Sequence, residues 1–253
     1  MPPLTSPNPF QAPEPFDAYS CFETCRVKAG VVLHLSDHFK RLQTSIKTLD
    51  LTPLEEGSTL RDLRQAAREV GNGFVRILVR REGEPRFILH RHPGIPYSER
   101  QRMQGIALTT VPTRQPSVEA VPAQVKHSQR LSGILARLEG RNSPEVLRLG
   151  SHGYLTEGTV SNLFLVKDKT LITAPPWIGV LEGVTRHRVM EAARRGKIPV
   201  QEIPVTRHEL FNAQEAFLTN VLMGIAPIAQ VDGRQIGTQV PGPITRRLMR
   251  ALG

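Results

Sequence analysis

Apolar and polar positions alternate along residues 19–27 (YSCFETCRV) and again along 31–35, which predicts a hairpin turning at 28–30. The period then changes: Phe39, Leu42, Ile46 and Leu49 recur at helical spacing, with Ser36 as the expected N-cap. A second helix is expected over 60–70, ended by Gly71 and Gly73. Strands are expected at 74–79, 86–89 and 105–111, with a loop over 91–100 between the last two. This half reads as α+β with an antiparallel sheet.

Pro112, Pro116 and Pro122 mark residues 112–124 as a linker. Beyond it the pattern predicts a helix at 128–139, short strands within 146–166 and at 171–173, and a helix at 185–195. A strand at 200–203, a helical turn at 208–211, strands at 215–219 and 225–231, and a basic amphipathic helix at 244–252 follow. Residues 1–16 are proline-rich and aperiodic, hence an irregular arm. The expected organisation is that arm, a small N-terminal domain over 17–111, the linker at 112–124, and a larger C-terminal domain over 125–253. A site is expected in the cleft where the two domains meet.

A chain of 253 residues can bury a real core. It has no apolar run of about 18 residues, and its N-terminus lacks the basic start and apolar stretch of a secretion signal. A cytoplasmic protein with no membrane partner is expected. Cys21 and Cys25 are too few for a disulfide framework, and four apart on a strand they share one face as core side chains. The formal charge of +10 raises nucleic-acid binding. The basic residues are scattered, however, without zinc-finger spacing or an aromatic RNA-binding strand, so no nucleic-acid partner is expected. The charge suits anionic small molecules instead. His90 and His92 share a strand face, but no cysteine or carboxylate stands at ligand spacing, so no metal is expected.

The chemistry centres on residues 153–164, GYLTEGTVSNLF, where two β-prone pieces flank a polar turn carrying Glu157. A carboxylate aimed inward between strands is costly to desolvate unless a cation meets it. The stretch resembles the T-E-G-x-x-S-N-L-F signature of the class IV, or fold-type IV, pyridoxal phosphate enzymes. These include branched-chain aminotransferases, D-amino-acid aminotransferases and 4-amino-4-deoxychorismate lyases. Three more segments match in the family's order: VKHSQRL at 125–131, GVLEGVTR at 179–186, and FLTNVLMGIAP at 217–227. A fourth, HFKRL at 38–42, matches H-x-x-R-L.

The resemblance implies a two-domain α+β fold like that of D-amino-acid aminotransferase, with a small N-terminal α/β domain and a larger, β-rich C-terminal one flanked by helices. It implies pyridoxal 5′-phosphate as cofactor. Lys126 would bond the cofactor and then serve as acid or base at the substrate carbon. Glu157 would hold the ring nitrogen protonated, and Arg41 with the amides of Val184 and Thr185 would meet the phosphate at a helix N-terminus. Asn220 and Val221, beside Thr219, would complete the cofactor site. Thr24, Arg26, Arg76, His90 and Arg130 are the substrate-side candidates, an arginine fork or a histidine being suited to carboxylates.

K-H-x-x-R-L and N-x-L-M are more similar to the lyase segments than to the K-x-x-x-Y and G-T-A-x-E of many aminotransferases. The implied activity is a lyase that eliminates pyruvate from aminodeoxychorismate, giving 4-aminobenzoate for folate biosynthesis. A branched-chain or D-amino-acid aminotransferase is the alternative, and a non-catalytic basic binding protein on a degraded scaffold is the third reading. The implied partners are a small anionic amino-group substrate and a second copy of the chain. The chain departs from the family where R-G-x-G-x-R-G-Y is replaced by RREGEPR at 80–86, and before F-E-T, where a G-D-G turn is missing.

Overall fold

The structure, a computed structural model, describes residues 20–81, 87–95, 103–128 and 131–252. The arm expected over 1–16, half of the loop expected over 91–100, and the candidate Arg130 lie outside the described residues.

The alternation at the start of the chain becomes a strand with two distinct faces, β1 (Ser20–Lys28). Cys21, Cys25 and Val27 enter a core, while Phe22, Thr24 and Arg26 face the opposite way. With β2 (Val31–Val32), β3 (Gly73–Arg80) and β4 (Phe87–Pro93) it forms a four-stranded sheet in the order β2-β1-β3-β4, antiparallel throughout. Ala29 and Gly30 make the turn with φ of 50° and 74°. Helices α1 (Leu35–Thr48) and α2 (Glu56–Val70) bury Leu42, Ile46, Leu63 and Ala66 against Val75 and Ile77 of the sheet. Both begin differently from the expectation. The N-cap of α1 is His34, in the left-handed region at φ 54°, so Ser36 lies inside the helix. Glu55 starts α2 early by accepting from the amides of Gly57 and Ser58. Strand β4 runs to Pro93, into the stretch expected as loop, because its register with β3 continues to Gly73.

The second sheet has eight strands. Its path takes β6 (Val146–Leu147), β5 (Ile106–Thr110), β11 (Gly224–Val231), β10 (Glu215–Asn220), β7 (Asn162–Lys167), β8 (Thr170–Thr173) and β9 (Val200–Glu202), with β12 (Arg234–Gln235) on β11. Strand β5 therefore does not extend the first sheet. It pairs in parallel with β11, because Leu108 joins the core of Leu147, Ile228 and Val231, and Asp232 accepts from both Thr109 and Thr110. On the other face, α4 (Val184–Arg195) and α6 (Pro243–Leu252) bury Val189, Met190 and Leu248 around the stacked rings of Phe164 and Phe217, 5.1 Å apart. A capping box at Thr206 and Glu209 starts the short α5 (Arg207–Phe211).

Helix α3 (Leu131–Glu139) is the exception to inward packing. It buries Ala136 but leaves Leu131 (68%), Ile134 (57%) and Leu138 (63%) exposed along one stripe. No helix among the described residues is long and apolar enough to cross a membrane.

Candidate active site

A cleft of about 170 Å³ opens between the two sheets. Lys126 reaches it because the segment just before α3 pairs with the edge of β1 that β2 leaves uncovered. Phe22 N–H donates to the Lys126 carbonyl at 3.0 Å, Ser128 N–H to the Ser20 carbonyl at 3.1 Å, and Cys21 bridges to His127. The Lys126 amide donates to Ser45 Oγ of α1 at 3.3 Å. Lys126 Nζ stands 4.8 Å from the centroid of the Phe22 ring and Arg76 Cζ stands 5.4 Å from it, so one aromatic ring carries two cations.

One end of the cleft has the chemistry to receive an anion. Gly183, Val184 and Thr185 line it where α4 begins, and no side chain caps that helix. Its first amides and the positive end of a 12-residue helix dipole thus face the cleft. Thr185 is the second helical residue, and Gly183 holds the cap position. A Cβ at Gly183 would meet Asn162 Oδ1 at 2.2 Å, so only glycine lets the helix start approach this closely. Thr219, Asn220 and Val221 supply the adjoining wall. Thr219 Oγ1 is buried there without a hydrogen-bond partner, and Asn220 Oδ1 closes the following turn by accepting from the amides of Leu222 and Met223 at 2.9 and 2.8 Å.

Arg41 lies on the same wall and is held from behind. Its Nε and Nη2 donate to the two oxygens of Glu23 at 2.6 and 2.9 Å, and Nη1 donates to the Glu182 carbonyl at 2.9 Å. His38 Nδ1 lies 2.9 Å from the same carboxylate, while His38 Nε2 is buried without a partner. Burial pushes the Glu23 carboxyl up, but the charges and hydrogen bonds of Arg41 and His38 outweigh it and hold the group at about 2. Desolvation works against Arg41 too, and Glu23 more than compensates, raising the guanidinium above its ordinary value.

Glu157 is buried on the far side of Asn162. Its Oε2 accepts from Asn162 Nδ2 at 2.9 Å and from the Leu181 amide at 3.0 Å, and Asn162 Nδ2 also donates to the Leu181 carbonyl at 2.8 Å. Oε1 lies 3.6 Å from Arg148 Nη2. The signature turn is thus stitched to the segment leading into α4, so the carboxylate and the helix start form one rigid unit.

On the remaining wall, Thr24 Oγ1 accepts from Arg76 Nε at 3.1 Å, and both side chains line the cleft. Burial lowers the Arg76 guanidinium from its ordinary value. Arg26 and His90 lie outside the lining: Arg26 Nη1 donates to the Leu222 carbonyl at 3.4 Å, and His90 is exposed opposite Arg76 on β4. His92 stacks on Phe74 at 4.4 Å.

The structure therefore brings Thr24, Arg41, Arg76 and Lys126 to one cleft with Val184, Thr185, Asn220 and Val221, and sets Glu157 one residue behind its wall. Four buried residues that hold this arrangement together were not among the sequence candidates. Glu23 and His38 carried a signal: a carboxylate alternating with Cys21 and Cys25 points into a core, where it requires a buried cation. Asn162 lay inside the signature without a role, and Arg148 interrupts the apolar run 146–149.

The family model described as amino-transferase class IV matches residues 20–231. A protein of Methanocaldococcus jannaschii named "Putative branched-chain-amino-acid aminotransferase" is 30% identical over 243 residues, spanning 90% of this chain and 83% of its own. Among solved structures, the 4-amino-4-deoxychorismate lyase of Pseudomonas aeruginosa superposes with a TM-score of 0.81 at 31% identity, over 92% of this chain and 89% of that one. The branched-chain amino acid aminotransferase of Escherichia coli gives a TM-score of 0.83 at 27% identity, over 93% and 84%.

Proposed function

This chain belongs to the class IV amino-transferase family, and from that membership we propose a pyridoxal phosphate-dependent lyase acting on 4-amino-4-deoxychorismate. The enzyme class follows from the family; the substrate and the roles of individual residues are our reading. The residues present fit the cofactor. Its phosphate suits an uncapped helix start beside Arg41 and the unpartnered Thr219 hydroxyl. A protonated ring nitrogen suits the buried carboxylate of Glu157. Bound pyridoxal phosphate supplies an electron sink beside the substrate carbon that bears nitrogen.

The chain's own groups do the rest. Arg41, the Val184 and Thr185 amides, the Thr185 hydroxyl, Asn220 and Val221 would hold the phosphate, with Glu23 fixing the Arg41 side chain. Lys126 would hold the cofactor between turnovers. It then removes the proton from the substrate ring carbon carrying nitrogen. The bond to the enolpyruvyl oxygen breaks as the ring aromatises, and the departing enolpyruvate gains a proton to become pyruvate, which balances the one Lys126 removed. Thr24 and Arg76 orient the substrate.

Arg76 is the observation that carries the lyase reading. A half-buried guanidinium in the substrate wall, braced by Thr24 and seated on Phe22, suits a substrate with carboxylates beyond the reacting carbon. A branched-chain side chain would leave that cation desolvated and unpaired. The aminotransferase reading draws on the name of the M. jannaschii relative and the E. coli structure. Release of 4-aminobenzoate and pyruvate from aminodeoxychorismate, with keto-acid formation from branched-chain and D-amino acids measured alongside, separates the two. The lyase reading expects the first, and turnover confined to amino acids contradicts it.

We propose further that the chain works as a cytoplasmic homodimer with the two domains set out above, except that β5 (Ile106–Thr110) belongs with the C-terminal domain. The apolar stripe of α3 and the buried free thiols of Cys21 and Cys25 support this. Sedimentation of the wild type and of Leu138→Glu tests it: loss of the dimer in the variant is expected, and a monomeric wild type contradicts it.

A further inference from the structure

One side chain of the signature turn differs in exposure from everything around it. Every other residue lining the cleft is buried or half-buried, whereas Val160 is 56% exposed. It therefore stands at the mouth. A single exposed valine usually needs no explanation, but the backbone of this one is pinned. Glu145, 6% exposed, gathers the turn. Its Oε1 accepts from the Val146 and Thr159 amides at 3.0 and 3.1 Å and from the Thr159 hydroxyl at 2.7 Å. Its Oε2 accepts from the Val160 amide at 3.1 Å and from the Ser161 hydroxyl at 3.0 Å. The Gly158 amide closes the turn on the Ser161 carbonyl at 2.7 Å. A Cβ at Gly158 would collide with Ser161 Oγ and come within 2.9 Å of Glu145 Oε2, so only glycine lets the turn wrap the carboxyl group this closely. Both carboxyl oxygens thus fix the backbone over 159–161, and with it the place of the Val160 side chain at the mouth.

We infer that Val160 is a specificity-determining residue that packs against the apolar face of the substrate, and that Glu145 is the positioning residue that holds it there. The inference rests on the reading above, in which this cleft takes the substrate. On that reading the apolar face belongs to the cyclohexadiene ring of aminodeoxychorismate. A β-branched side chain is stiff at χ1, so a valine on a fixed backbone presents a fixed surface. Covering a preformed surface loses little conformational entropy, and the gain scales with the apolar area removed from water. Val160 offers nothing to a charge. It therefore reads the part of the substrate that Arg76 does not, and it disfavours any ligand that would press a polar group against it without a partner.

The test measures KM and kcat of the enzyme loaded with pyridoxal phosphate, and its dissociation constant for 4-aminobenzoate, in wild type, Val160→Ala, Val160→Thr and Val160→Asp. These variants spare the backbone hydrogen bonds of the turn, so they test the contact on a folded protein. In Val160→Ala, KM and the dissociation constant should both rise about fivefold with kcat nearly unchanged, because half of the residue is still open to be covered. Val160→Thr keeps the shape but exchanges a methyl for a hydroxyl, and should raise both nearly as far. Val160→Asp should raise both further, and added salt should shrink that increment, since the ligands are anionic. The double variant Glu145→Gln/Val160→Ala checks the positioning. Once Glu145 no longer holds the turn, removing the Val160 methyls should change KM by less than about twofold. An equal effect of Val160→Ala in both backgrounds would overturn the role of Glu145. A KM and a dissociation constant unmoved across the Val160 series would overturn the inference, and altered sedimentation of those variants in their place would set Val160 against a second copy. Turnover confined to amino acids would overturn the lyase reading alone, and the same KM series on that amino acid then decides this inference.

Discussion

Glu23 and Glu157 are both carboxylates buried behind the cleft, 1% and 8% exposed, yet they are finished differently. Glu23 meets Arg41 through both oxygens and His38 through one, so its charge is spent inside the protein. Glu157 meets neutral donors on one oxygen and a guanidinium at longer range on the other. The difference separates a carboxylate that holds Arg41 in the wall of the cleft from one that we propose serves the cofactor. A carboxylate bound through both oxygens fixes a neighbouring cation in place, whereas one tied to the Leu181 amide and the Asn162 side chain fixes the turn that carries it to the start of α4.

Neutralising each carboxylate in turn should have the largest and most different effects. Glu23→Gln leaves Arg41 buried without its anion and should cost about 3–5 kcal/mol of stability, read by denaturant unfolding. The acid limb supplies its own check. Because the folded carboxyl is held at about 2 against an ordinary 4.5, its contribution to stability is complete above pH 4.5 and is lost as pH falls toward 2. In Glu23→Gln that part of the acid limb should vanish. Glu157→Gln should fold with a smaller penalty but lower kcat by about 10²–10³-fold, since it removes charge from the reacting centre. A variant that turns over normally would make Glu157 a turn residue only.

Smaller effects sharpen the picture. Arg76→Met should raise KM for an anionic substrate about tenfold while leaving kcat nearly intact, the pattern of lost uniform binding. Thr185→Val keeps the α4 amides and removes one hydroxyl. It should therefore weaken cofactor binding by about 1.5 kcal/mol at most, measured by fluorescence titration.

Legibility followed the same division. The strands, the helices and the Lys126, Glu157 and Thr185 segments could be read because periodicity and short motifs are local. The start of α1 at His34 could not, because a left-handed residue there leaves no mark in the hydrophobic pattern. The pairing of β5 with β11 was hidden for another reason: the contact joins positions more than a hundred residues apart. Arg41 reads as a surface charge by its helix position, and only the inward face of β1, carrying Glu23, reveals why it is held. Arg148 needed the three-dimensional neighbourhood of Glu157 before its charge had any meaning.

On the function proposed above, Lys126 anchors pyridoxal phosphate in this cleft. Borohydride reduction of the protein loaded with the cofactor, followed by peptide mass spectrometry, tests it directly. The expected result is a single phosphopyridoxyl adduct on Lys126, with loss of the visible absorption band, and no adduct in Lys126→Ala. An adduct on another lysine, or none after loading, would contradict the account.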